Sequence, residues 1–327
     1  ISKRPPIKRG TRTASRLLSI LGQSLYVFEE HQKPMASTSD RVKVLENFGL
    51  PSGMAEVLEK EDRKVGMRIF ILDNSGSTSS SDGLHVPKLK PGDVSVQAQS
   101  CSRWEEIKRM AIDQAELNAQ TQTPCKFFLL NPKQGSNWNN LTAGQDFCEI
   151  NPHRGNLQDQ VQAVRQMVDN SGPDGGTPLA KCIEAVGKLI KDDMESILEK
   201  DKRGYLVLVT DGLPDTGKDQ MVTEIRKLCV AYELFVVVRL CTAEQNVVDY
   251  YNKVDEEVEF SLDVLCNLEA EAREIKAVNP WLSYFPELHA IREGGTNLSL
   301  LDRLDERPFT GGEVGTFLSM LMVRSFN

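Results

Sequence analysis

Two hydroxyls spaced two residues apart, with a carboxylate two residues before them, occur in Asp73-Asn74-Ser75-Gly76-Ser77, directly after the apolar run at 67–72. A second polar loop, Gly172-Pro173-Asp174-Gly175-Gly176-Thr177-Pro178, precedes a helix-period segment, and another apolar run, at 205–209, leads into Thr210-Asp211-Gly212. Hydroxyl and carboxylate oxygens are hard ligands, and Mg²⁺ takes near-octahedral oxygen at about 2.1 Å while retaining some water. Brought together, such a set suits Mg²⁺ or Mn²⁺. Each piece also has an ordinary reading. Thr177-Pro178 fits a helix start, with threonine as N-cap and proline at the first helical position. Ser75-Gly76-Ser77 and Asp211-Gly212 fit polar turns. It is their joint occurrence at the ends of one strand-and-helix pattern that points to chemistry.

That pattern is regular. The runs MRIFIL (67–72), CKFFLL (125–130), YLVLV (205–209) and LFVVVRL (234–240) have strand length and are almost wholly apolar, as central strands of a parallel sheet covered on both faces must be. Helix-period apolar positions lie between them: Trp104 to Leu117, Leu157 to Val168, one long segment from Leu179 to Ile197, and Val222 to Tyr232. The alternation predicts an α/β fold, a doubly wound and mostly parallel sheet flanked by helices on both faces. In such sheets ligands gather at the carboxyl ends of the strands, which is where the polar segments fall. Two stretches depart from the alternation: residues 79–102 read as a surface hairpin, and 131–155 as a loop with a short edge strand at 146–150. Beyond 240 the sequence predicts a helix at 244–254, an extended piece around 258–262 and a helix at 264–277. The apolar tail from Pro280 predicts short helices on the main sheet.

Together the three polar segments resemble the von Willebrand factor A (vWA) domain and its metal-ion-dependent adhesion site (MIDAS): D-x-S-x-S, then a loop threonine, then an aspartate. All five positions match, as Asp73, Ser75, Ser77, Thr177 and Asp211, and the likeness runs from residue 67 to about 262. The stretches RWEEI, VVVRLCTAEQNVVDYYNKVDEEVEF and NPWLSYFPELH also look like a group of intracellular eukaryotic proteins that carry this domain. The resemblance implies a Rossmann-like fold and Mg²⁺ as cofactor, with Mn²⁺ or Ca²⁺ as alternatives. Ser75 and Ser77 would bind the ion directly, Thr177 directly or through water, and Asp73 and Asp211 would orient serines and metal-bound water. It further implies a non-catalytic module whose ion, held mainly by neutral hydroxyls, takes an Asp or Glu carboxylate of a protein partner as its open ligand. The loops 79–102, 131–155 and 213–218 would supply selectivity. Two other classes stay in view: a structural subunit of a larger assembly, and a metal-dependent hydrolase with Asp215 among its candidate bases.

Composition narrows the field. In 327 residues, 40% are hydrophobic and 26% charged, near globular averages, and no apolar run approaches the roughly 20 residues a membrane span needs. Seven dispersed cysteines with no C-x-x-C pair read as buried free thiols of an intracellular, cytoplasmic protein. By the same reasoning the sequons at Asn140 and Asn297 are chance matches. Six Lys and Arg lie in residues 1–28, which hold no acid, so the other 33 face all 47 Asp and Glu, a balance of −14. An acidic body argues against nucleic acid as partner. For the basic leader three readings stand: a transit-peptide remnant, a membrane- or partner-binding arm, and a helix laid on the body. The organisation expected is a basic arm and connector with short helices (1–66), a vWA-like domain (67–278) and a C-terminal helical extension (279–327). Gly212 to Asp219 fits G-x-x-x-x-G-K, but the next residue is aspartate where a phosphate loop needs a hydroxyl, so Asp219 reads as the N-cap of the following helix. His31, His85, His153 and His289 have no metal-ligand spacing, so a zinc hydrolase has no support.

Overall fold

The computed structural model describes residues 37–87, 98–133 and 137–322. The basic arm at 1–28 lies outside them, as do the tip of the 79–102 hairpin and part of the 131–155 loop.

Six strands form the main sheet: β1 (Val65–Leu72), β4 (Cys125–Leu129), β5 (Phe147–Ile150), β6 (Arg203–Thr210), β7 (Phe235–Leu240) and β8 (Leu262–Leu265). The missing numbers belong to a small antiparallel pair, β2 (Gly83–His85) and β3 (Gln99–Cys101), which forms the base of the predicted hairpin. The spatial order is β5-β4-β1-β6-β7-β8. Counting only main-sheet strands along the chain, this is the doubly wound order 3-2-1-4-5-6, with the direction of winding reversing between β1 and β6. All neighbours are parallel except the edge strand β5, which runs antiparallel to β4. The fold is thus the doubly wound α/β class that the apolar runs predict.

Why those runs are continuous is visible in β1. Met67, Ile69 and Ile71 enter one core while Phe70 and Leu72 enter the other, because helices cover both faces. Phe70 stacks on its register partner Phe127 with ring centroids 4.7 Å apart. Helices α3 (Arg103–Thr121) and α4 (Leu157–Asp169) cover this second face. On α3 a stripe of Ala111, Ala115 and Ala119 is fully covered, letting the helix lie close to the strands. The opposite face is covered by α5 (Leu179–Leu189), α6 (Lys191–Leu198), α7 (Lys218–Tyr232) and α8 (Gln245–Glu257).

The single helix predicted over 179–197 is in fact two. Ile190, at φ −92° and ψ −3°, ends α5 and begins α6. The bend lowers α6 onto the amino ends of β1 and β6, where a Cβ at Gly66 would lie 2.3 Å from Ile197 and one at Gly204 2.6 Å from Met194. Contact with the sheet, made possible by two glycines far away in sequence, overrides the continuous helical period. The extended piece expected around 258–262 is displaced to β8, and the helix after it starts at Leu268, capped by the Asn267 side chain.

The remaining helices build a third core. Two precede the sheet, α1 (Thr38–Phe48) and α2 (Ser52–Asp62), and four follow it: α9 (Leu268–Val278), α10 (Pro286–Glu293), α11 (Ser299–Asp302) and α12 (Gly311–Met322). Met54, Leu58, Leu282, Leu288, Leu301 and Phe317 are buried together there. The tail helices therefore pack largely against α1 and α2, where the sequence predicts the main sheet. Most of both apolar faces of the sheet is filled by α3 to α8, and α10 meets the sheet through polar contacts, Arg68 Nε to Gly294 O and Arg239 to Glu293.

Candidate functional site

The carboxyl ends of β1 and β6 are neighbours at the point where the winding reverses, and the loops leaving them meet there. The last ladder bond of this pair runs from Asp73 N–H to Val209 O at 2.9 Å. The chain then closes into one 3-10 turn, Gly76–Ser79, in which the Thr78 and Ser79 hydroxyls donate back to the carbonyls of Ser75 and Gly76. This places the Ser75 and Ser77 Oγ atoms 3.0 Å apart, with Ser75 buried and Ser77 exposed. The loop before α5 docks on the same turn. Gly76 N–H donates to Gly175 O (3.0 Å), Asp174 N–H to Asn74 O (2.8 Å), and Asn131, at the end of β4, bridges Asn74 and Gly176.

Thr177 does not cap α5. Pro178 holds the N-cap position, at φ −79° and ψ 51°, and the helix starts at Leu179. Thr177 is instead drawn to the β6 loop: its N–H donates to Asp215 Oδ2 at 2.9 Å and its carbonyl accepts from Asp215 N–H at 3.0 Å. A Cβ built on Gly212 would lie 3.5 Å from Thr177 Oγ1 and 3.9 Å from Ser77 Oγ, so both hydroxyls stand over the glycine that follows Asp211. Asp219 is likewise no N-cap. Gly217, at φ 80°, turns the chain into α7, and Asp219 sits in the first turn, where a carboxylate still complements the helix dipole.

Behind the hydroxyls lie two buried carboxylates. Asp73 accepts from Ser75 N–H (2.9 Å) and from Thr210 Oγ1 (2.6 Å), and Asp211 accepts from Ser77 Oγ (2.9 Å) and from the Arg103 guanidinium (3.0 Å). Burial pushes the Asp73 carboxyl up to about 6, against the pull of the hydrogen bonds from Thr210 and Ser75 and helped by the nearby Asp211 charge. Arg103, itself buried, also binds Asp82 at the foot of the hairpin and Glu244 before α8, both about half exposed. Those carboxylates raise its pKa further above an already high value.

The structure thus gathers Asp73, Ser75, Ser77, Thr177 and Asp211 at one sheet-end cluster. Residues that the spacing did not single out complete it: Thr210 on Asp73, Arg103 on Asp211, and Asn74 with Asn131 binding the loops together. Thr210 was readable as the residue before Asp211. Arg103, 108 positions from its carboxylate partner, carries no local signal. A separate trio, Glu271, Glu274 and Asp305, has ligand atoms within 4.8 Å of one another. Arg292 already lies between Glu271 and Asp305 at 2.7 and 2.9 Å, so this group reads first as an ion-pair network.

Whether two serines could share a small ion can be tested on distance. Cis ligands of an octahedral Mg²⁺ at about 2.1 Å are about 3.0 Å apart. The Ser75–Ser77 separation of 3.0 Å meets that requirement, and the Ser77 hydroxyl is held by the buried Asp211 carboxylate. Compared with family models and with curated proteins, the chain matches none.

Proposed function

We propose that the chain is a vWA-like interaction module in which Ser75, Ser77 and Thr177 hold Mg²⁺, or Mn²⁺ or Ca²⁺ in its place, and a protein partner adds an Asp or Glu carboxylate. The observation that carries the reading is the meeting of three hydroxyls, two from the β1 loop and one from the loop before α5, in front of two buried, hydrogen-bonded carboxylates at the switch point of the sheet. When bound, the ion would supply an electrophilic centre with a position open to an outside ligand. Asp73 holds the β1 loop by accepting from Ser75 N–H, and Asp211 orients the Ser77 hydroxyl. Arg103 pairs with the Asp211 carboxylate and holds it in place beside the Ser77 hydroxyl.

A binding role, as opposed to turnover, is supported by the state of the local carboxylates. Asp73, Asp211 and Asp215 all accept hydrogen bonds from the protein, so each already acts as a positioning group. Calorimetric titration of metal-stripped protein with Mg²⁺, Mn²⁺ and Ca²⁺ tests the reading. Saturable 1:1 binding, lost in Ser75→Ala/Ser77→Ala and followed by metal-dependent binding of a glutamate-bearing peptide library, is expected. Absence of binding at millimolar ion, or binding that survives the double substitution, would overturn it.

A further inference from the structure

Beside the hydroxyl cluster three carboxylates share one guanidinium. Arg103 donates from Nε and Nη2 to Asp82 at 2.6 and 2.7 Å, from Nη2 to Glu244 at 2.6 Å and from Nη1 to Asp211 at 3.0 Å. Asp211 is buried with Arg103, whereas the Asp82 and Glu244 carboxylates are half exposed and open to further donors from outside. Asp174, whose N–H binds Asn74 O, and Asp215, which holds Thr177, are exposed as well. The described cations among these loops are the buried Arg103 and the half-buried Lys133.

Asp82 is held in place from two sides. A Cβ on Gly83 would lie 2.6 Å from Ser102 O, so only glycine lets the foot of the hairpin press on the start of α3. Arg103 N–H donates to Ser80 O at 2.9 Å, and Leu84 N–H donates to Glu106 Oε2 at 2.7 Å. Glu106 in turn belongs to an ionic floor beneath the hairpin: Arg239 lies 2.5 Å from Glu106 Oε1 and donates from Nε to Glu293 Oε1 at 2.8 Å, and His289 Nε2 is 3.3 Å from the same oxygen. Arg103 and Glu106 are one helical turn apart on α3, so the foot is anchored twice on one rigid element. Ser77, Asp211, Arg103 and Asp82 then form a continuous chain of hydrogen bonds, which fixes the half-exposed carboxylate pair relative to the hydroxyls.

We infer that the segment bound by this face is zwitterionic: beside the Asp or Glu that reaches the ion it carries a Lys or Arg that lies on Asp82 and Glu244. The inference rests on the metal reading above. Its ground is charge complementarity. One guanidinium shared among three carboxylates leaves the exposed pair undercompensated, so a segment bearing carboxylates alone meets like charge there, while a cation at that position is attracted. Because Asp82 and Glu244 already reach solvent, the cation adds to them without displacing Arg103 from Asp211.

The probe is a displayed library of octapeptides, each with one fixed glutamate, selected on the Mg²⁺-loaded full chain and released with chelator. Enrichment of Lys and Arg within four residues of the glutamate is expected, with depletion of Asp and Glu. In a selected peptide, replacing that lysine by alanine should weaken binding to the wild-type chain by up to about fivefold, the worth of a partly exposed ion pair. The double variant Asp82→Asn/Glu244→Gln should still bind Mg²⁺ in calorimetry, but the lysine and alanine peptides should then bind it equally. If the wild-type chain retains Mg²⁺ and selects glutamate peptides with no basic enrichment, or retains no peptide, the inference is overturned and the metal site stands. A basic preference that persists in the double variant also overturns it. Absence of Mg²⁺ binding removes the metal reading and this inference together. If the double variant does not fold, the library and the lysine-to-alanine peptide decide on wild-type protein.

Discussion

The hydroxyl cluster at the ends of β1 and β6 and the ionic floor beneath the hairpin are both polar constellations embedded in the same sheet, but they are built in opposite ways. In the first, the hydroxyls of Ser75, Ser77 and Thr177 are neutral, with Ser77 exposed, and their charged neighbours, Asp73 and Asp211, are buried. In the second, Glu106, Arg239 and Glu293 are themselves the buried groups and hold one another. Hydroxyls cost little to present at a loop, so the first arrangement can spend its burial on orientation. Ions are expensive to bury, so the second depends on mutual pairing, and losing one member strands the rest.

That contrast predicts graded effects. The largest belongs to Arg239→Met, which leaves two glutamates buried without their guanidinium and should cost about 3–5 kcal/mol in urea unfolding. A cost below about 1 kcal/mol would mean that the floor is solvated and would erase the contrast. Next is Arg103→Met at the hydroxyl cluster. One of its three carboxylate partners, Asp211, is buried and the other two are half exposed, so about 1–3 kcal/mol is expected. Ser77→Ala should cost only about 0.5–1.5 kcal/mol, the net worth of one hydrogen bond, yet remove the stabilisation of about 2.7 kcal/mol that a metal at one hundred times its Kd would bring. A metal-dependent rise in Tm that survives Ser77→Ala would separate the cluster from metal binding. The smallest effect is Glu244→Gln, a half-exposed partner of Arg103, at under about 1 kcal/mol.

Acid titration sharpens the same comparison. His289 and Arg239 hold the buried Glu293 carboxyl down at about 2, below its value in the unfolded chain. Its folded pKa is depressed, so the stability it contributes is present above the ordinary glutamate range, about 4.3, and is lost as pH falls towards 2. The stability gap between wild type and Glu293→Gln should therefore shrink steadily from pH 5 to pH 2. A gap that stays constant over that interval would show that the carboxylate charge is not what binds the floor together.

The two constellations also differed in how far they could be read beforehand. Asp73, Ser75 and Ser77 occupy one pentapeptide, and Thr177 and Asp211 each sit beside a strand or helix boundary that apolar periodicity marks, so spacing drew out their segments and the resemblance to the vWA pattern picked the five residues. The ordinary readings offered for Thr177 as helix cap and Asp219 as N-cap failed for a shared reason. Local propensity names a good capping residue, but contacts of the Asp215 loop and the positive φ of Gly217 decided where each helix begins. The break at Ile190 was hidden in the same way, because the glycines that admit α6, Gly66 and Gly204, lie on distant strands.

By itself, then, the sequence determined the α/β class, the four apolar strands of the sheet and the polar segments that lie at its carboxyl edge. Each of these follows from short-range order: two-sided burial writes continuous apolar runs, and a loop motif keeps its spacing within a few residues. Tertiary structure alone decided that Arg103 reaches Asp211, that Glu106, Arg239, His289 and Glu293 converge under the hairpin, and that the tail helices pair with α1 and α2. Those outcomes depend on which distant surfaces remain unburied and which charges must be compensated once the sheet has formed. No local pattern carries that information, because it is a property of the packed chain.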